Sequence, residues 1–291
     1  MSRPRLAKGC FGAVVLLLLL IGLAVGFAVY QGGREPKGRP EYVALGSSFA
    51  AGAGLGALEA GSPLLCARSV NGYPQQLARR ANLSIVDMSC GGAVTPNVVR
   101  GGQFFQGPQV RAITPETRLV TITVGGNDIG YVGDLSLLAA RRSDGVFGWL
   151  VRSFWKGPKT EGQRDYAGLR RDLLATLAAV HARAPEAVVV VATYPTLLPA
   201  SGTCSTIAMT AAEAAGMREV GDRLAEVTRS AAREGGAVLV DMHALGAGHD
   251  ACSAEPWTKG WVGAKGAPFH PNADGAEATA AAIQTALRAA G

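Results

Sequence analysis

Short apolar runs rich in β-branched residues alternate with longer helical stretches from residue 42 to the end of the chain. The runs cover residues 42–45, 84–88, 119–124, 187–192 and 237–240. Helical patterns lie between and after them, at residues 73–80, 166–183, 210–234 and 274–290. Runs that are apolar throughout are typical of strands buried on both faces of a parallel sheet. The alternation therefore predicts a three-layer α/β/α sandwich around a central parallel sheet of about five strands.

Ligands of such folds bind at the carboxyl ends of the strands. Four loops of this kind follow Leu45, Met88, Val124 and Ala192. Residues 131–164 interrupt the alternation and carry Trp149, Phe154 and Trp155. Two interpretations of this stretch are open: a helical insertion packed on the core, or a wall or lid for an apolar substrate.

The N-terminal part of the chain predicts a membrane segment ahead of the α/β domain. Residues 11–30 contain no charge, and twenty helical residues span about 30 Å, the thickness of a bilayer's hydrocarbon core. Three basic residues precede the segment and are expected to stay in the cytoplasm: Arg3, Arg5 and Lys8. The alternative is a cleaved signal peptide, whose apolar region is usually about 7–15 residues long.

We expect a single-pass anchor in the cell membrane. Residues 1–10 are then a cytoplasmic basic tail, residues 11–30 the transmembrane helix and residues 31–40 a Gly/Pro-containing linker. Residues 41–291 are the domain, on the extracytoplasmic side. Cleavage of the N-terminal segment would instead release this domain.

The positive net charge belongs to the N-terminal segment. Residues 1–40 hold six basic side chains and one acidic, which leaves 22 basic and 21 acidic side chains in residues 41–291. A nearly neutral domain lacks the electrostatic footprint of a nucleic-acid-binding protein. We therefore expect no nucleic-acid partner.

Cysteine usage agrees with an exported domain. Cys10 precedes the apolar segment, and the domain holds Cys66, Cys90, Cys204 and Cys252. Disulfides persist outside the cytoplasm, and four cysteines allow two bridges with three possible connectivities. No Cys-x-x-Cys spacing is present, so we expect no structural metal site.

The first strand is followed by Gly46-Ser47-Ser48-Phe49-Ala50-Ala51-Gly52, where a nucleophile would stand. The sequence is not the Gly-x-Ser-x-Gly elbow of α/β-hydrolases, because Ala50 replaces the last glycine. The overlapping residues 52–57 match Gly-x-Gly-x-x-Ala, but they begin too far after the strand and lack the acid of a dinucleotide site. We expect no cofactor.

Three further blocks carry candidate catalytic groups. Cys90-Gly91-Gly92-Ala93 follows the second strand, and Gly125-Gly126-Asn127-Asp128 follows the third. A backbone N–H of the first block and the Asn127 amide are candidate oxyanion donors. His270 stands beside a proline at the start of the last helix, and this placement favours it over the other three histidines as a base.

These four blocks, in this order, resemble those of the SGNH (GDSL-like) hydrolase superfamily, and most of all those of secreted actinobacterial esterases and lipases. The resemblance covers residues 42 to about 290. It implies Ser48 as nucleophile, His270 as base, and the N–H groups of Ser48 and Gly92 with the Asn127 amide as oxyanion hole. It also implies two disulfides, Cys66–Cys90 and Cys204–Cys252.

Two positions depart from the family pattern. Ser47 stands where an aspartate usually precedes the nucleophile, and Ala267 stands where an aspartate usually precedes the histidine by three residues. Some relatives orient the histidine with a main-chain carbonyl, so we expect the carbonyl of Ala267 to do so here. A carbonyl fixes the tautomer but stabilises the imidazolium less than a carboxylate does.

The resemblance implies a serine esterase or lipase that acts, as a monomer without metal or cofactor, on a lipid ester or an acylated envelope glycan. Two alternatives stay open. One is a carbohydrate O-acyl esterase of the cell envelope. The other is a non-catalytic binding module of the same fold, for which the missing aspartate at Ala267 is the only support.

Overall fold

The structure is a computed structural model, and it describes residues 4–290. Five parallel strands form its central sheet: β1 (Tyr42–Gly46), β2 (Ile85–Asp87), β3 (Leu119–Thr123), β4 (Val188–Ala192) and β5 (Val238–Val240). Their order across the sheet is β2-β1-β3-β4-β5. In register, Val43 of β1 lies between Val86 of β2 and Val120 of β3. β2 lies on one side of β1, and β3 lies on the other. The strand order therefore reverses between β1 and β3, and this reversal creates a topological switch point.

The strands are connected by helices of very different length. In chain order they are α1 (Pro4–Gly32), α2 (Ser48–Ala51), α3 (Tyr73–Ala81), α4 (Thr95–Arg100), α5 (Tyr131–Ala140), α6 (Gly145–Phe154), α7 (Tyr166–Arg183), α8 (Ala211–Glu234), α9 (Met242–Leu245) and α10 (Ala273–Ala290). The predicted strands and long helices all appear, with bounds that differ by at most one residue at each end. The predicted three-layer sandwich with a five-stranded parallel sheet is confirmed.

The two faces of the sheet bury different helices. Val43 and Leu45 pack on the side that holds α5, α7 and α8. Ala44, between them, packs on the other side, against α3 and α10. Successive side chains of a strand point to opposite faces, so a strand covered on both sides is mostly apolar along its whole length. This requirement explains the uninterrupted apolar runs in the sequence.

The helix α1 extends beyond the predicted segment 11–30 at both ends. Its part Val14–Gly32 is apolar and, except for its last residue Gly32, is not buried in the domain. Length and composition suit a membrane span, and a signal sequence near an N-terminus has the same character.

Candidate active site

Ser48 lies directly after β1, at the first position of the short helix α2. Gly46 ends the strand with a φ of +141°. A Cβ atom at this position would collide with the Thr123 carbonyl of β3, so only glycine permits the turn. Ser48 is 9% exposed. The local sequence thus holds a shielded but reachable hydroxyl at the carboxyl end of the sheet.

Gln109 fixes the backbone just ahead of Ser48. Its buried side-chain amide accepts a hydrogen bond from the Gly46 N–H (2.8 Å) and donates one to the Gly46 carbonyl (3.0 Å). This residue was not among the predicted site residues. A lone glutamine in a loop carries no sequence signal for such a role.

His270 contacts Ser48 directly, with Nε2 2.7 Å from Oγ. Phe269, which precedes the histidine, is fully buried and adopts a φ of +55°. This left-handed residue reverses the chain just before α10, and its buried ring anchors the turn. The sequence-predicted nucleophile and base are therefore within hydrogen-bonding distance, although 222 residues separate them.

The prediction for the group that orients His270 is wrong. Nδ1 donates its hydrogen bond to the carbonyl of Pro268 at 2.8 Å, not to that of Ala267. The left-handed turn at Phe269 brings the carbonyl two residues upstream, rather than three, onto the imidazole. The backbone of Ala267 instead packs against Gly54, so closely that no side chain would fit at position 54. A main-chain carbonyl does orient the histidine, as expected, but it belongs to Pro268, one residue after Ala267.

The two contacts of His270 determine its tautomer. A carbonyl only accepts, so Nδ1 carries the proton and Nε2 is free to accept the hydroxyl proton of Ser48. Burial lowers the pKa of His270, and the charge of Lys259 lowers it further. A lowered pKa keeps the imidazole neutral near pH 7, which is the state a general base requires. Lys259 itself donates to the Gly54 carbonyl at 2.9 Å.

The predicted oxyanion donors lie on the three loops that follow β1, β2 and β3. Gly92 turns with a φ of +78° after β2, and Asn127 follows β3. Asn127 donates one amide hydrogen to the Ala93 carbonyl at 2.9 Å, which leaves the second hydrogen free. Within residues 4–290, the backbone N–H groups of Ser48 and Gly92 have no acceptor. Free donors at the carboxyl ends of the strands are what an oxyanion hole needs.

Asp128 ties two of these loops together. Its carboxylate accepts hydrogen bonds from the backbone N–H and the hydroxyl of Thr95. Burial raises the pKa of Asp128, and the bonds from Thr95 oppose that rise. The Gly92 turn and the Asn127 loop are thereby fixed relative to each other. This role was missed, although Asp128 directly follows the predicted catalytic asparagine.

Ser47 makes no hydrogen bond to the His270 imidazole, whose two partners are Ser48 and Pro268. It is fully buried, and its hydroxyl lies 2.6 Å from the hydroxyl of Tyr194. The Tyr194 ring also packs against Phe49, with centroids 4.2 Å apart. Burial raises the pKa of the Tyr194 phenol. Ser47 thus occupies the aspartate position of the family as a core residue, which agrees with the choice of Ser48 as nucleophile.

Both disulfides implied by the family resemblance are present. Cys66 pairs with Cys90, and Cys204 pairs with Cys252. The first bridge holds the loop that carries Gly92. The Gly91 N–H donates to the Cys66 carbonyl at 2.9 Å, which adds a second link there.

The other histidine candidates lie in ordinary polar contacts. His243 Nε2 lies 3.1 Å from Asp222, and Asp241 binds Arg229 with two hydrogen bonds. His249 stacks on a tryptophan ring. In the part of the chain that the structure describes, no group of three or more His, Cys, Asp and Glu side chains is placed to hold a metal ion.

Residues 131–164 form two helices of opposite character. Most side chains of α5 are buried, whereas α6 buries only Gly148 and Val151. Large apolar side chains of α6 are exposed: Val146, Phe147, Trp149, Leu150 and Phe154. The interpretation as a helical insertion packed on the core therefore applies to α5. Helix α6 does not pack in this way and exposes an apolar surface.

Comparison with known proteins agrees with this chemistry. The sequence profile of the GDSL-like lipase/acylhydrolase family matches residues 44–278. A protein named Lipase 2 from Streptomyces coelicolor is 34% identical over 253 residues, which cover 81% of each chain.

Two solved structures are similar over nearly their whole length. The extracellular lipase from Streptomyces rimosus has a TM-score of 0.68 and 27% identity, covering 84% of this chain and 98% of that one. Phospholipase A1 from Streptomyces albidoflavus NA297 has a TM-score of 0.67 and 28% identity, with the same coverage. The chain therefore belongs to the GDSL-like lipase/acylhydrolase family and is a carboxylic ester hydrolase.

Proposed function

We propose that this protein is a membrane-anchored, extracytoplasmic serine esterase or lipase that hydrolyses its substrate through an acyl-enzyme on Ser48. The contact of 2.7 Å between Ser48 Oγ and His270 Nε2 carries the proposal. It occurs at the topological switch point of the sheet, where this fold binds ligands. Nucleophile and base within hydrogen-bonding reach, with the base oriented by a third group, are the signature of nucleophilic catalysis.

In the first half of the reaction, Ser48 Oγ attacks the ester carbonyl while His270 Nε2 takes its proton. The carbonyl oxygen becomes an oxyanion, held by the N–H groups of Ser48 and Gly92 and by the free amide hydrogen of Asn127. His270 then gives its proton to the departing alcohol, and the acyl group remains on Ser48. Water then attacks the acyl-enzyme while His270 takes its proton. His270 returns this proton to Ser48 Oγ as the bond to the acyl group breaks, and the carboxylic acid leaves.

The Pro268 carbonyl takes the place of a carboxylate in this scheme. It fixes the Nδ1 tautomer as a carboxylate would, but it is neutral and stabilises the imidazolium less. The oxyanion donors therefore supply a larger share of the stabilisation. Such fixed donors act strongly in a partly dry site because they need no reorganisation when the charge develops.

The N-terminal helix supports the membrane location. Its segment Val14–Gly32 is long and apolar enough to cross a bilayer, and basic residues precede it. The relative from S. rimosus is an extracellular lipase, and the one from S. albidoflavus is a phospholipase A1. An ester of a lipid is the substrate class that this location and these relatives favour.

Hydrolysis of p-nitrophenyl butyrate by the full chain in detergent tests the proposal. We expect Ser48→Ala to lose activity while the melting temperature stays unchanged, because only a hydroxyl is removed. Ser47→Ala is the matched control and should retain most activity, since that hydroxyl faces Tyr194. Wild-type protein that binds esters without turnover would instead be a non-catalytic module. Faster turnover of acetylated xylan than of lipid esters would indicate a carbohydrate O-acyl esterase.

A further inference from the structure

Four large apolar side chains stand exposed on two 3₁₀ turns beside the active site. Leu64 and Leu65 lie on the turn Leu64–Cys66 and are 57% and 56% exposed. Phe104 and Phe105 lie on the turn Gln103–Phe105 and are 37% and 58% exposed. We call these four residues the mouth patch. Exposed apolar residues that cluster in this way mark interaction surfaces.

The backbone holds the two phenylalanines in an unusual conformation. Phe104 has a φ of +48° and Phe105 a φ of +61°. Bulky residues rarely adopt left-handed backbone, and such residues are concentrated at functional sites. The turn is closed by a hydrogen bond from the Gly102 N–H to the Gln106 carbonyl (2.7 Å), so the conformation is built into the loop.

The mouth patch is connected to the oxyanion loop on both sides. The side-chain amide of Gln103, next to Phe104, donates to the Gly91 carbonyl at 2.7 Å. Cys66, next to Leu65, is bonded to Cys90, and its carbonyl accepts from the Gly91 N–H. Each turn therefore contacts the residue that directly precedes Gly92.

The mouth patch also adjoins the end of the apolar helix α1. Gly32, the last residue of α1, packs so closely on the backbone of Phe104 and Phe105 that no side chain would fit there. Arg111 donates to the Arg34 carbonyl at 2.9 Å and thereby ties the segment after α1 to the domain. When α1 spans a membrane, as proposed above, a patch that touches the end of this helix lies at the level of the bilayer surface.

The charges nearby suit a lipid surface as well. Residues 31–40 carry three basic side chains and one acidic, and one of the three, Arg39, is paired with Glu116 of the domain. Basic residues beside exposed Phe and Leu are typical of surfaces that bind anionic lipid headgroups. The exposed face of α6 has comparable apolar character, but it is the turn with Phe104 and Phe105 that packs against the end of α1.

We propose that the mouth patch rests on the bilayer that anchors α1 and admits lipid esters from that bilayer to Ser48. This inference rests on the proposed function and specifies its substrate class: esters resident in the protein's own membrane. The aromatic rings and leucines replace water at the membrane surface, next to the loop that carries Gly92. An acyl ester can then reach the nucleophile without crossing bulk water.

The test compares two substrates on the full chain reconstituted in vesicles of phosphatidylcholine and phosphatidylglycerol. One substrate is a fluorogenic phospholipid in the vesicles, and the other is water-soluble p-nitrophenyl acetate. The patch variant combines Leu64→Gln, Leu65→Gln, Phe104→Asn and Phe105→Asn, because Asn tolerates left-handed backbone. The matched control, Val188→Gln with Leu245→Gln, removes exposed apolar side chains that lie far from these turns in sequence.

We expect the patch variant to lose at least about tenfold on the vesicle substrate, the effect of roughly one lost buried side chain. Its rate on the soluble ester should change less than about twofold, as for other exposed positions. The control should keep both rates. An equal loss on both substrates would mean that the patch only shapes the oxyanion loop, and unchanged rates would mean that it does not dock; either result overturns the inference.

Two further outcomes would distinguish a failure of this inference from a failure of the proposed esterase function, or would identify a different membrane-binding surface. If wild-type protein hydrolyses neither substrate, the proposed function itself fails. If substitution of Val146, Phe147 and Phe154 on α6 lowers the vesicle rate while the patch variant does not, the membrane contact lies on α6 and the mouth patch is the wrong surface.

Discussion

Replacing Asn127 by alanine probes the oxyanion hole at the one donor that is a side chain. One amide hydrogen of Asn127 is bound to the Ala93 carbonyl, so the other is held in a fixed direction. Its loss should raise the barrier by about 3–4 kcal/mol, which corresponds to roughly 150- to 900-fold in kcat. The fold should tolerate the change, because Asp128 and Thr95 still join the two loops.

The assay is the steady-state hydrolysis of p-nitrophenyl butyrate, with the melting temperature measured in parallel. We expect kcat to fall and KM to change little, because the donor acts on charge that develops only in the transition state. Asp128→Asn is the control for a loosened loop and should lower the melting temperature as well as the rate. A loss of less than fivefold in Asn127→Ala, in a folded protein, would show that this amide does not bind the oxyanion.

Three other predictions concern the base and the disulfides. Asp274→Asn should change kcat/KM less than about twofold, as for other surface substitutions, because Pro268 already occupies Nδ1 of His270; a loss of orders of magnitude would mean that a carboxylate orients the base. Lys259→Gln should move the acid limb of the kcat/KM profile to higher pH, because removing this charge raises the pKa of His270 and the base must be neutral to act; a limb that moves to lower pH contradicts the assignment. Removing the bridge between Cys66 and Cys90, 24 residues apart, should lower the free energy of unfolding by about 3–4 kcal/mol in urea titrations; no change in the midpoint would show that the bridge does not form.

The fold was predictable because the sheet is covered on both faces. β3 and β4 are buried almost throughout, so their residues are mostly apolar, and the sequence displays this directly. The two exceptions, Thr121 and Thr123 of β3, form hydrogen bonds with buried tyrosines. β2 is the least distinct strand. It is only three residues long, partly exposed, and ends in the buried Asp87, so its predicted run extended too far at both ends.

The site was predictable only where a residue stands at the end of a strand or beside a helix start. Ser48 and Asn127 follow strands, and His270 precedes α10. The Pro268 contact depends on the left-handed turn at Phe269, and phenylalanine does not signal such a turn. Gln109 acts from a loop that is distant in sequence, so no local pattern marks it. The contacts of Pro268 and Gln109 depend on how the loops are placed relative to one another, and the residue types alone do not reveal this placement.

The most direct measurement of the central claim is covalent labelling of the nucleophile. The full chain in detergent is treated with a fluorophosphonate probe, and the labelled peptide is located by mass spectrometry. We expect the label on Ser48, unimpaired labelling in Ser47→Ala, and no labelling in Ser48→Ala or in protein inactivated at His270. A label on Ser47, or undiminished labelling of Ser48→Ala, would contradict the assignment of Ser48 as the nucleophile.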